Sequence, residues 1–160
     1  DVSCLQVDEK SNTLFTGSRD QTARAWDLTS AAVKTQFVGH QNAVSCLKYM
    51  DGVLYTGSYD MTLKAWTAET GVEERMFKGH KGTVFAVDTD GVYLYSGSDD
   101  CTCKKWSLAT GDNVVTYGVP RDVQLAKKTD GPMSRGGQRG ELQGGGGEKK
   151  EEEEEEKEEA

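Results

Sequence analysis

Along the first three quarters of the chain, short runs of aliphatic, aromatic and β-branched residues alternate with clusters of Gly, Asp, Thr and Asn. In the middle the runs are 43–49, 53–57, 62–66 and 72–77. They are separated by Asp51-Gly52, by a turn centred on Tyr59-Asp60, and by Glu69-Thr70-Gly71. Runs of this length and composition between turn-forming residues predict strands joined by tight turns. No stretch holds a helical period. The alternation inside the runs is blurred, since Leu54 and Tyr55 are both large, as are Ala65 and Trp66 taken together. A small sheet covered on both faces needs apolar side chains on both sides, so the blurring predicts sheets packed face to face.

The pattern repeats. Gly57-Ser58-Tyr59-Asp60-Met61-Thr62-Leu63-Lys64-Ala65-Trp66 returns forty residues earlier as Gly17-Ser18-Arg19-Asp20-Gln21-Thr22-Ala23-Arg24-Ala25-Trp26. Forty residues later it is Gly97-Ser98-Asp99-Asp100-Cys101-Thr102-Cys103-Lys104-Lys105-Trp106. A fixed period of this length marks a repeat architecture. The four-run division fits residues 2–38, 41–78 and 81–118, with two extra residues near Glu9-Lys10-Ser11-Asn12 in the first copy. That predicts twelve strands in three sets of four, an all-β segment over residues 1–118. Residues 119–147 are Gly-rich with few large apolar side chains, and 148–160 hold nine Glu and three Lys. Such compositions do not bury enough surface to offset ordering, which predicts a disordered linker and an acidic tail.

Charge changes the picture little. The acidic tail supplies −6 of the net charge of −8, leaving the repeats mildly acidic. Without a basic stripe to neutralise phosphates, nucleic acid is not an expected partner. No apolar run approaches the roughly 18 residues of a membrane span. Cys4 and Cys46 occupy equivalent places inside apolar runs and read as small core residues. Cys101 and Cys103 form only half of a metal site, so neither metal nor cofactor is expected. An intracellular setting, cytoplasmic or nuclear, is expected.

Gly39-His40, Thr56, Asp60 and Trp66, with Gly79-His80, Ser96, Asp100 and Trp106, resemble the signature of the WD-repeat β-propeller family. The resemblance covers residues 2–118. The literal Trp-Asp pair stands only at Trp26-Asp27, against Trp66-Thr67 and Trp106-Ser107. It implies a partial propeller of three four-stranded antiparallel blades. It also implies a polar chain in each blade, running from the Asp through the imidazole and the hydroxyl to the indole. The first copy keeps Thr16, Asp20 and Trp26 but lacks the Gly-His. Buried carboxylates need hydrogen bonds, and a fully satisfied network stiffens the sheet it crosses. Whether Thr56 or Ser58 supplies the hydroxyl is open, with Thr56 preferred. Hydroxyl, imidazole and carboxylate together also suggest a catalytic triad. A nucleophile needs an exposed pocket and normally occurs once per domain, so recurrence favours a structural role.

Function should then lie where the copies disagree. The residue before the turn Asp is Arg19, Tyr59 or Asp99, and the residue after the first-strand Val is Ser3, Ser45 or Phe85. The resemblance places both sets on one rim near the central channel, where they would suit a peptide with an acidic group and an apolar contact. A non-enzymatic scaffold for proteins or peptides is the expected function. The alternative is the substrate-recognition propeller of a ubiquitin ligase, capturing a degron at the rim. A chaperone of histones or nucleic acids acting through the Glu tail is a third reading. Closed propellers typically have four to eight blades. Three are therefore expected to be a piece of a longer propeller, with 119–160 replacing the remaining blades by splicing or read-through.

Overall fold

The computed structural model describes residues 1–118, so the linker and acidic-tail expectations for 119–147 and 148–160 lie outside the described residues. Twelve strands form three separate four-stranded antiparallel sheets. The first blade is β1 (Val2–Asp8), β2 (Thr13–Ser18), β3 (Thr22–Asp27) and β4 (Val33–Val38). The second is β5 (Val44–Met50), β6 (Val53–Ser58), β7 (Thr62–Thr67) and β8 (Glu73–Lys78). The third is β9 (Val84–Thr89), β10 (Tyr93–Ser98), β11 (Thr102–Ser107) and β12 (Asn113–Gly118). Within each blade the strands pair in chain order, and the first strands β1, β5 and β9 lie side by side.

Strand limits follow from main-chain bonding. β5 begins at Val44 because the carbonyl of Ala43 accepts the N–H of Tyr59 in the turn beyond β6. β8 begins at Glu73 because Val72 is held by the turn, its carbonyl accepting the N–H of Thr67. The turn after the third strand places Gly71 and Gly111 at φ 74° and 85°, and Ala31 adopts φ 56° at the same place in the first blade.

The apolar core lies between blades. At the first boundary Phe15, Ala23, Ala25 and Phe37 of blade one meet Leu54 and Trp66 of blade two. At the second, Tyr55, Leu63, Ala65 and Phe77 meet Val84, Leu94 and Trp106. Each blade thus buries both faces only when it has a neighbour on each side, which accounts for adjacent large residues within one strand. Leu54, Leu63, Leu94, Trp66 and Trp106 are all essentially closed to solvent.

Candidate protein-interaction rim

The turn between second and third strands is built by one serine and one aspartate. Ser58 Oγ accepts the N–H of Asp60 at 3.0 Å and donates to the carbonyl of Asn42 at 3.1 Å. Asp60 Oδ1 accepts from the N–H and hydroxyl of Thr62, at 3.0 and 2.6 Å. Its Oδ2 takes the N–H of Gln41 at 2.9 Å and lies 2.7 Å from His40 Nδ1. A carboxylate only accepts, so Nδ1 carries the proton. With that proton on Nδ1, Nε2 serves as the acceptor, 2.8 Å from Thr56 Oγ1, and that hydroxyl in turn accepts the indole N–H of Trp66 at 2.8 Å. The donations run one way, from Trp66 through Thr56 and His40 to Asp60. Thr56, not Ser58, supplies the hydroxyl.

The third blade repeats this in Trp106, Ser96, His80 and Asp100, with distances of 2.8, 2.8 and 2.7 Å. Burial alone would raise the carboxyl pKa of Asp60 and Asp100. The hydrogen bonds from imidazole, threonine and main chain outweigh it and hold both well below the usual carboxylate range. Burial lowers the pKa of His80 against the opposing pull of Asp100, in keeping with a neutral ring. Thr56 is 0% exposed and His40 5%, so this hydroxyl–imidazole pair is closed to solvent.

Blade one departs from this plan. Trp26 still donates to Thr16 Oγ1 at 2.8 Å, but no imidazole bridges to Asp20. Arg24 fills the electrostatic gap with a 2.9 Å ion pair to Asp20. Hydrogen bonds from Thr22, partly opposed by desolvation and helped by Arg24, bring the Asp20 carboxyl down to about 2. Where a histidine is present the equivalent cation turns elsewhere: Lys64 pairs with Glu73, and Lys104 donates to Thr116 Oγ1 at 2.9 Å. Sequence reasoning passed over these cations. Their recurrence as Arg24, Lys64 and Lys104 beside a buried indole was the available signal.

The variable positions come together at the turn end of the blades. The N–H groups of Arg19, Tyr59 and Asp99 donate to the carbonyls of Asp1, Ala43 and Thr83, at 2.9, 3.0 and 2.9 Å. This pins each turn against the start of its own first strand. Ser3, Ser45 and Phe85 share a cause that the sequence did not disclose: each is the extra residue of a β-bulge. Val2 pairs with Ser18 and Cys4 with Gly17, and the same slip occurs at Val44/Cys46 and Val84/Ala86. A bulge bends the strand and re-aims the extra side chain.

The six positions differ in what they present. Ser45 is half-buried, its hydroxyl reaching the carbonyls of Gly57 and Val84 at the seam between blades two and three. Ser3 and Asp99 are exposed. Arg19 meets Asp1 at 3.4 Å with both side chains mostly in solvent. Tyr59 and Phe85 come from adjacent blades and meet edge to face, ring centroids 5.8 Å apart at 87°, with 42% and 52% of their surfaces exposed.

All four cysteines are free thiols, and burial pushes Cys4 up to about 11 and Cys46 to about 12. Among the described residues no group of three or more His, Cys, Asp or Glu could hold a metal ion, and no helix is long and apolar enough to cross a membrane.

Comparison with known proteins adds the following. The family described as WD domain, G-beta repeat, matches residues 1–27, 32–67 and 71–107. A stretch of 41 residues is 44% identical to the WD repeat-containing protein pop1 of Schizosaccharomyces pombe, covering 26% of this chain and 5% of that protein. The chain thus spans a small part of that relative's length. Crystal structures of two computationally designed proteins superpose on 74% of the chain with TM-scores of 0.68 and 28% identity. The match covers 37% of the Ika8 chain and 74% of the Ika4 chain.

Proposed function

Since the chain belongs to the WD-repeat family, we propose that it is a non-enzymatic scaffold that holds a protein or peptide partner on the turn rim of its blades. One observation carries the reading. Tyr59 and Phe85 form an exposed aromatic pair across a blade boundary, each mounted on a hydrogen-bonded turn or bulge. Aromatic side chains held rigidly are the residues that dominate binding energy, because they offer large contact area with little ordering cost. Arg19, one blade back, adds an exposed guanidinium for an acidic group on the partner.

Affinity capture with the chain and with Tyr59→Ala/Phe85→Ala tests the proposal. Loss of two aromatic anchors should weaken specific partners by at least about tenfold. The melting temperature should stay within about two degrees, as expected for exposed positions. An unchanged set of partners at unchanged strength would remove the rim from consideration.

A further inference from the structure

We propose that the outward faces of the first and third blades are two halves of one interface, through which two copies of the chain join head to tail. The template is the boundary the molecule already builds twice. At each, a valine of the following blade's first strand sits on a glycine of the preceding blade's second strand. A Cβ on Gly17 would lie 2.7 Å from Val44 Cγ1, and one on Gly57 would lie 2.8 Å from Val84 Cγ1. Both valines are 0% exposed. Glycine is required because the blade's own cysteine, Cys4 or Cys46 with Sγ at 2.5 Å, and the neighbouring blade's valine together occupy the space of a side chain.

The seat exists a third time without a valine in it. Among the described residues, a Cβ on Gly97 would meet only Ala86 and Cys103 of its own blade, at 3.6 and 3.9 Å. The matching knob is exposed at the other end of the described residues. Val2, the counterpart of Val44 and Val84, is 63% exposed, and Leu5 beside it 64%. Trp26 is half-buried, where Trp66 and Trp106 are 1% exposed.

The aromatic contact has a counterpart too. At the internal boundaries Phe37 and Phe77 meet Trp66 and Trp106 with ring centroids 6.0 and 5.9 Å apart. Tyr117, 50% exposed, stands at the equivalent place in blade three and offers its ring to Trp26 of a second copy. Lys105 replaces the alanines at 25 and 65. Its ammonium lies 3.6 Å from the ring centroid of Tyr93, so the side chain runs along the blade.

Such a contact joins two different surfaces and therefore either closes into a ring or grows. Two copies bring about six blades, inside the range of four to eight that closes, whereas three copies exceed it. Closure of two copies buries both faces of each. This surface is separate from the Tyr59–Phe85 rim, and the two proposals fail independently.

The test is the mass of the 160-residue chain in solution at tens of micromolar, by sedimentation equilibrium, with two single variants. Gly97→Val fills the empty seat, where the surroundings leave room for its Cβ. Val2→Asp charges the knob. The wild type should sediment at twice 17.5 kDa, and each variant alone should show a dimer weakened at least about a hundredfold with unchanged circular dichroism. Mixing the two variants should restore a dimer through the one joint that keeps both an open Gly97 and an intact Val2. Tyr59→Ala/Phe85→Ala should still dimerise. A monomeric wild type, a dimer indifferent to both variants, a mixture no heavier than its parts, or open assemblies beyond two copies would each overturn the proposal.

Discussion

Asp60→Ala is the sharpest probe of the frame, because the molecule contains its own control. Asp60 accepts four hydrogen bonds, from His40 Nδ1, Gln41 N–H, Thr62 N–H and the Thr62 hydroxyl. Water can replace the carboxylate for the exposed Gln41 and the partly buried Thr62, but not for His40, whose side chain is 1% exposed. An orphaned buried donor costs about 1–3 kcal/mol, and the remaining bonds add about 1 more. The expected loss is thus about 2–4 kcal/mol. Asp20 sits in the same turn with the same Thr partner but no imidazole, and its side chain is 45% exposed. Asp20→Ala should cost only about 0.5–1 kcal/mol, the worth of exposed hydrogen bonds and one exposed ion pair. At about 4 °C per kcal/mol for a domain of this size, calorimetry should separate the variants by roughly 4–14 °C. Equal shifts would refute the argument that the imidazole link carries the difference, and an Asp60→Ala melting temperature within about a degree of wild type would refute the structural role itself.

Two further outcomes follow from the same geometry. Gly57→Ala pushes a methyl to 2.8 Å from Val84 and 2.5 Å from Cys46, whereas Gly97→Ala meets no described residue closer than 3.6 Å. Urea unfolding of the dissociated chain should show the first destabilised by about 1–3 kcal/mol and the second nearly neutral. Acid should weaken the fold in two steps. His80 is held below its ordinary 6.5, so its contribution is complete above that pH and is lost as pH falls below it, because the unfolded chain binds the proton first. Asp60 and Asp100 are held below 3.8, so their contribution is complete above that value and lost only at lower pH. Denaturant midpoints measured from pH 7.5 to 3 should therefore begin to fall below about pH 6.5, a phase that should shrink in His80→Gln.

The fold was legible because each repeat writes the same local instructions three times. Asp51-Gly52 and Glu69-Thr70-Gly71 turn the chain, and the runs between them can only be strands. The limits moved by a residue where a main-chain group bonds across the turn, as at Ala43 and Val72, which no propensity records. The turn-end positions of the candidate rim were legible as a set of disagreeing residues, but what mounts their side chains there was not. Ser3, Ser45 and Phe85 are bulge residues only because of the register between first and second strands, a property of the pair rather than of either run. Ser45 shows the limit: its identity suggests a surface hydroxyl, while its place at a seam sets it between two carbonyls. Lys105 and Tyr117 also passed unnoticed, since the loss of alanine and phenylalanine at those places gains meaning only once the face they share is known.

The one-way run of donations from indole to carboxylate has a spectroscopic consequence. In blades two and three the indole Nε1–H is fixed by a hydroxyl whose own proton is committed to an imidazole, so exchange with solvent requires the blade to open. Trp66 and Trp106, closed to solvent and backed by His40 and His80, should exchange slowly. In the dissociated chain Trp26, half-buried and ending at Thr16 without an imidazole behind it, should exchange fast. Three resonances in a well-separated region of the proton spectrum thus become gauges of three blades, reporting which one loosens first when a partner, a proton or a second copy arrives.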